Sequence, residues 1–275
     1  MPSARAESPA PAADHLPARS FSLPACWQYL KQISCVFSFF AAGLAVSPFC
    51  GLLWRCFGND IPPTFGQRLI RGLFNGWLQV SSRIGIFDIR FPEAEKLRDL
   101  RATVLAPNHP SLIDAVILLS IVPNTVCIIR ANLIESPFLG GAARLAGFVP
   151  NDKGPALVRH GIEKIRAGEN LLIFPEGTRT EAQAINSFKH GFALIAKKTG
   201  APIQTIFIER EGRYLSKGMA LLSFGRPPFR FRLHLGELFR AAPDETAQQL
   251  SGRLERYFRE HLENTGEDIR LIRRC

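Results

Sequence analysis

From Gln32 to Trp54 the chain reads QISCVFSFFAAGLAVSPFCGLLW, 23 residues without a charged side chain, closed by Lys31 and Arg55. A run of that length leaves water in one of two ways. It enters a bilayer, whose hydrocarbon core takes about 20 residues of apolar helix, or it is wrapped as a core helix. Gly43 and Pro48 are positions at which it can break into a re-entrant or interfacial hairpin. A cleaved leader fits less well, because roughly 30 residues precede the run and leaders start short and basic. Residues 1–20, MPSARAESPAPAADHLPARS, are rich in Pro, Ala and Ser with no apolar period, the composition of a disordered tail.

Residues 65–87, FGQRLIRGLFNGWLQVSSRIGIF, set Arg68, Arg71 and Arg83 among Leu69, Ile70, Leu73, Phe74, Trp77, Leu78 and Ile84. This is a basic amphipathic pattern, suited to a headgroup layer or to the surface of its own domain. Residues 21–87 are therefore expected to form a membrane-associated helical region. Lys and Arg number 34 against 24 Asp and Glu, a net charge of +10 that points to anionic partners such as phospholipid headgroups or phosphorylated substrates. Nucleic acid is disfavoured, because the aromatics sit in apolar stretches such as VFSFF (36–40) and are not interleaved with Lys and Arg.

From residue 88 the pattern changes. Strands are predicted at 102–106, 125–129, 170–174, 202–208 and 229–235, and helices at 111–121, 136–146, 155–167, 187–199 and 244–263. Strand–helix alternation predicts an α/β fold with a mostly parallel central sheet flanked by helices. The catalytic domain is placed at 88–240, with a C-terminal helix and tail over 241–275. Six cysteines (26, 35, 50, 56, 127 and 275) show neither a CxxC pair nor metal spacing with histidine, so they are expected reduced, facing a cytosol-like compartment, with no metal site.

Ligands of parallel sheets sit beyond the carboxyl ends of the strands, and the polar motifs fall there. The stretch 105–119, LAPNHPSLIDAVILL, places Asn108, His109, Pro110, Ser111 and Asp114 between two apolar runs. Turn and cap chemistry accounts for Asn, Pro and Ser but not for a histidine with an acid five positions later. In a continuous helix those two would point about 140° apart. They meet if His109 sits at the strand-to-helix junction and the helix starts at Pro110, a favoured first-turn residue. A carboxylate on one ring nitrogen then leaves the other as a base. The bland alternative is a capped surface histidine.

The second constellation is FPEGTRT, 174–180, at the end of the strand predicted at 170–174. Pro175 and Gly177 shape a tight turn, Thr178 and backbone N–H groups can face an anion, and Arg179 offers a planar fork matched to phosphate. Glu176 can pair with Arg179 or accept a substrate hydroxyl; a βα turn with a surface ion pair is the simpler alternative. Lys153 in GFVPNDK (147–153) and Lys189 in FKHG (188–191) add cations on the same edge. No G-x-S-x-G elbow, catalytic cysteine or metal-ligand cluster is present, so the chemistry reads as a base activating a substrate hydroxyl.

NHPSLID resembles the N-H-x-x-x-x-D block, and FPEGTR the F-P-E-G-T-R block, of the glycerophosphate and lysophosphatidate acyltransferase family, in that order and about 60 residues apart, with the apolar N-terminal anchor similar to that of bacterial members. The resemblance covers roughly residues 88–240. It implies a glycerolipid acyltransferase-like fold, with His109 deprotonating a glycerol-backbone hydroxyl that attacks the acyl thioester of coenzyme A or acyl carrier protein, and with Asp114 orienting His109. Glu176 and Arg179 would bind the acceptor and Gly177 would shape the loop, with Asn108, Lys153, Thr178 and Lys189 as further substrate contacts. No cofactor is implied beyond the acyl-CoA or acyl-ACP co-substrate. The implied location is the cytoplasmic face of a cell inner membrane, among phospholipids.

This chain departs from the family pattern in two blocks. GFVPNDK has Pro150 where the family has Phe and Lys153 where it has Arg, a point charge in place of a fork. APIQTIF keeps Pro202 but has Thr205 where a second proline is common. The resemblance therefore carries acyl transfer further than it carries the acceptor. Competing readings are an acyltransferase for another hydroxylated amphiphile, such as an amino-acid lysolipid, a non-catalytic lipid-binding protein, and a thioesterase.

Overall fold

Apolar strands separated by helical segments need a common surface to bury against, and a seven-stranded sheet supplies it. The computed structural model describes residues 23–272 apart from 59, 152–153, 181–184 and 212–224. Two helices come first, α1 (Leu23–Phe57) and α2 (Pro63–Arg83), then β1 (Phe87–Arg90), a 3-10 turn at Ala94–Leu97, β2 (Val104–Pro107) and α3 (Ile113–Ile121). There follow β3 (Thr125–Ile129), α4 (Ala131–Ile134), α5 (Gly140–Leu145), β4 (Val149–Pro150) and α6 (Pro155–Arg166). The chain continues through β5 (Asn170–Leu172), α7 (Gly191–Thr199), β6 (Ile203–Arg210), β7 (Phe229–Phe239) and α8 (Ala247–Ile272).

The strand order is β1-β7-β6-β2-β5-β3-β4, and every pairing is parallel except β6 with β7. This is the mostly parallel α/β sheet that the alternating pattern predicts. β2 lies between β6 and β5, with Leu105 level with Gln204 on one side and Leu172 on the other. Val104, Leu105, Ala106, Leu171 and Leu172 are fully buried, which is why these central strands read as unbroken apolar runs. Two strands escape the sequence pattern. β4 has only two residues, too short for any period, and β1 (FDIR) is an edge strand whose Asp88 accepts a 2.9 Å hydrogen bond from Arg232. Within the helix predicted at 136–146 only α5 (Gly140–Leu145) forms, and Pro137 separates it from α4.

The run does not break at Gly43 or Pro48, for α1 is one helix with Pro48 inside it. Gly43, Ser47 and Gly51 recur every fourth residue, so they share one side of the helix. That side meets α5 and the turn before it so closely that a Cβ on Gly141 would lie 1.8 Å from the Ser47 carbonyl oxygen, and one on Gly43 2.6 Å from that of Phe138. The Gly141 N–H donates to Ser47 Oγ at 2.9 Å. Glycine here buys close approach rather than a bend. Phe39 packs on Phe74 and Trp77 of α2, with ring centroids 5.9 and 5.0 Å apart, and completes the attachment.

Apart from buried Gln32, Cys35 and Cys50, much of the rest of α1 is exposed. Phe37 is 72% exposed, Phe49 61% and Trp27 60%, whereas a core helix buries most of its faces. Only 11% of its most apolar window is buried, and by length and composition α1 can cross a membrane. α2 carries its own exposed apolar residues, Phe65, Leu73, Val80 and Ile84, beside exposed Arg68 and Arg83.

Gly141→Val should destabilise the protein by about 2 kcal/mol or more, the cost of overpacking a closed seam. Chemical denaturation measures it, and unchanged stability would show that the α1–α5 contact is not close-packed.

Candidate active site

Four parallel strands, β2, β5, β3 and β4, lie side by side and end at one edge of the sheet. Each delivers a polar residue there: His109 beyond β2, Glu176 to Arg179 beyond β5, Arg130 beyond β3 and Asn151 beyond β4. The β2–β5 register, Leu105 level with Leu172, brings the two motifs of the sequence together although they are some 60 residues apart.

His109 Nδ1 lies 2.9 Å from Asp114 Oδ2. The meeting is reached by a different route from the expected one, since α3 begins at Ile113 and not at Pro110. Residues 109–112 form a turn in which the Ser111 N–H donates to the same Asp114 oxygen at 2.7 Å. The short side chain of Asp114 therefore reaches back across its own N-terminal turn. The carboxyl is fully buried; burial pushes its pKa up, while the hydrogen bonds from His109 and Ser111 pull it down. With Nδ1–H donated to that carboxylate, Nε2 carries the free lone pair. The imidazole lies flat on Phe174, centroids 3.8 Å apart, and its side chain is 15% exposed.

Both main-chain groups of His109 are held by the facing loop. Its N–H donates to Glu176 Oε1 at 3.0 Å, and its carbonyl accepts from the Thr180 N–H at 2.8 Å. Glu176 also accepts from the Thr180 hydroxyl at 2.8 Å and the Asn186 N–H at 2.9 Å, and is only 2% exposed. The Glu176 carboxylate, expected to contact the acceptor, here accepts internal hydrogen bonds and is not among the residues lining the cavity beside His109. Asn108, expected as a further substrate contact, is likewise engaged within the fold. Its amide exchanges two hydrogen bonds with the Ile208 backbone, at 2.9 and 2.7 Å, extending β2–β6 pairing past Pro107, which has no N–H to give.

His109, Gly177, Thr178, Arg179 and Lys189 do line one cavity of about 800 Å³. Gly177 has φ +66°, a left-handed conformation that suits glycine, and the Lys189 N–H donates to the Pro175 carbonyl at 2.7 Å. Lys153 lies outside the described residues. Arg130, Asn132 and Asn151 are lining residues that the sequence reading missed. Arg130 had one available signal, its place directly after a strand predicted at 125–129 at the end where ligands gather.

The cavity has two characters. One wall is cationic, and burial together with the neighbouring Arg130 lowers the Arg179 pKa. Arg130 and Arg179 both line this wall, and guanidinium groups are matched in geometry and charge to an anion such as phosphate. The remainder is apolar and reaches Phe39 and Phe40 of α1, Phe74 and Trp77 of α2, and Leu119, Cys127 and Phe148 deeper in the domain. Burial pushes the Cys127 thiol up to about 12, so it behaves as a small apolar group.

The family model described as Acyltransferase matches residues 88–209. Over 117 residues the chain is 32% identical to the 1-acyl-sn-glycerol-3-phosphate acyltransferase of Helicobacter pylori, covering 40% of this chain and 49% of that protein. Over 173 residues it is 30% identical to the lyso-ornithine lipid O-acyltransferase of Pseudomonas aeruginosa, covering 61% of this chain and 63% of that protein. The chain thus spans less than two thirds of either relative's length. The crystal structure of the 1-acyl-sn-glycerophosphate acyltransferase PlsC from Thermotoga maritima shares the fold, with a TM-score of 0.68 at 21% identity over 87% of this chain and 98% of that one. Residues 88–209, which hold His109, Asp114 and the Glu176–Arg179 loop, are a domain of the Acyltransferase family.

Proposed function

We propose that this protein is a membrane-associated O-acyltransferase that moves a fatty acyl group from a thioester, of coenzyme A or acyl carrier protein, to a hydroxyl of lysophosphatidate or a related glycerophospholipid. One observation carries the reading: the His109–Asp114 pair stands where a cationic wall meets a long apolar cavity. His109 Nε2 takes the proton of the acceptor hydroxyl as its oxygen attacks the thioester carbonyl. The tetrahedral intermediate then expels the thiolate, which recovers the proton from the imidazolium. Asp114 fixes the ring and steadies its positive charge. Arg130, Arg179 and Lys189 bind the phosphate of the acceptor.

The apolar part of the cavity accommodates an acyl chain, gaining about 0.8 kcal/mol for each CH₂ it shields. Its lining includes α1 and α2, so a chain passes between bilayer and site without crossing water. The bare apolar face of α1 and the exposed arginines of α2 support a location of this side against lipid. The cytoplasmic face of an inner membrane agrees with thioester donors made in the cytosol.

The guanidiniums of Arg130 and Arg179 on the cavity wall favour an acceptor that carries a phosphate. A second reading, a lyso-ornithine-type acceptor, draws on the 173-residue match to the Pseudomonas protein. An acceptor panel separates them: lysophosphatidate is expected to be acylated fastest, and exclusive use of a lyso-amino-acid lipid would replace the first reading with the second. Fatty acid released without any acceptor would instead identify a thioesterase.

His109→Ala should lower acyl transfer by about 10²–10⁴, and near-wild-type turnover would exclude the base mechanism. Arg130→Ala and Arg179→Ala should each raise the KM for lysophosphatidate by about tenfold, the value of a charge-assisted hydrogen bond. An unchanged KM would place the phosphate elsewhere. Glu176→Ala should cost about 1–3 kcal/mol of stability by stranding three donors, and denaturation at unchanged midpoint would refute its role as the holder of the His109 loop.

A further inference from the structure

A second cavity, of about 1000 Å³, runs along the groove between α6 and α7 and shares Asn151, Gly154, Leu157 and Gly191 with the first. The two are therefore contiguous, and the groove leads from the His109 site to the surface. Its apolar lining is Leu157, Val158, Ile162 and Leu194, buried or half-buried, and its exposed residues include Arg159, Arg166 and Lys198. Among the described residues Glu163 is the one carboxylate in this lining. Among the described residues the three cations form no ion pair within 4.0 Å. Nothing in the hydroxyl-acceptor chemistry uses this groove.

Acyl transfer imposes a geometric demand that the first cavity leaves unmet. The thioester carbonyl has to stand at His109 with its acyl chain in the apolar cavity and the acceptor's phosphate on the Arg130–Arg179 wall. The sulfur side of the donor then has to leave in another direction, and the groove continuous with the site offers it. We propose that the α6–α7 groove binds coenzyme A, with the pantetheine arm over the apolar floor and the nucleotide phosphates at Arg159, Arg166 and Lys198. The pantetheine arm alternates methylene and amide groups and ends in phosphate, which matches an apolar floor with a cationic margin. A concave site of this volume suits a small molecule, whereas a carrier protein would dock on a broad convex or flat face. This inference rests on the acyl-transfer reading for the position of the thioester.

The test uses full-length protein with all three cations reversed (Arg159→Glu, Arg166→Glu, Lys198→Glu), and Arg159→Glu alone should the triple variant fail to fold. The KM for palmitoyl-CoA is expected to rise about tenfold in the triple variant, and the preference for palmitoyl-CoA over palmitoyl-N-acetylcysteamine, which lacks the nucleotide, should fall by the same factor. Both differences should shrink in high salt, because the contacts are exposed. Free CoA, titrated by calorimetry, should bind the wild type about tenfold more tightly than the variant. A folded variant with unchanged CoA affinity and unchanged donor preference would overturn the proposal. Loss of turnover with palmitoyl-ACP alone would also overturn it, in favour of a carrier protein. Because CoA affinity is read without turnover, failure of this site is distinguishable from failure of the acyl-transfer reading, which His109→Ala tests.

Discussion

The backbone of His109 is the joint on which this site depends. Its N–H is held by the Glu176 carboxylate and its carbonyl by the Thr180 N–H, so the β2 loop and the β5 loop are one rigid piece. Parallel pairing of β2 with β5 brings the loops within reach, but pairing alone would leave the imidazole free to rotate on a flexible turn. The two hydrogen bonds, the Phe174 ring beneath it and the buried Asp114 behind it remove that freedom. Pre-organisation of this kind is where catalytic groups gain most of their effect.

Much of this was legible in the chain, for identifiable reasons. Central strands are buried on both faces, so their apolar runs stand out; β2, β3, β5, β6 and β7 all lie where that pattern put them. The two polar motifs stood out because turn chemistry could not use His109 or Asp114. What stayed hidden depended on tertiary partners. Nothing local shows that the oxygens of Glu176 are taken by three donors, from His109, Thr180 and Asn186. The backbone partner of Asn108, Ile208, is 100 residues away and so out of reach of any local pattern. Arg130 passed as an ordinary residue after a strand until Arg179 arrived opposite it.

Gly43 shows the same limit from the other side. Helix propensity marks glycine as a weak point, and with Pro48 nearby a break was one of the local options. The surrounding packing overrides it, because a side chain at either Gly43 or Gly141 would collide with backbone oxygen. Local cost was accepted for a contact that only the assembled domain makes visible.

That contact has a consequence for how the protein meets its lipids. A helix attached through a flexible linker would let the domain tumble over the bilayer, and the cavity mouth would find the surface only intermittently. The α1–α5 seam permits no such tumbling: a hydrogen bond of 2.9 Å and backbone-to-backbone approach fix the apolar helix to the same body that carries His109. On the proposed membrane location the mouth keeps one depth and one heading. The quantity that governs encounter is then the surface density of lysolipid in the leaflet, and the search is two-dimensional.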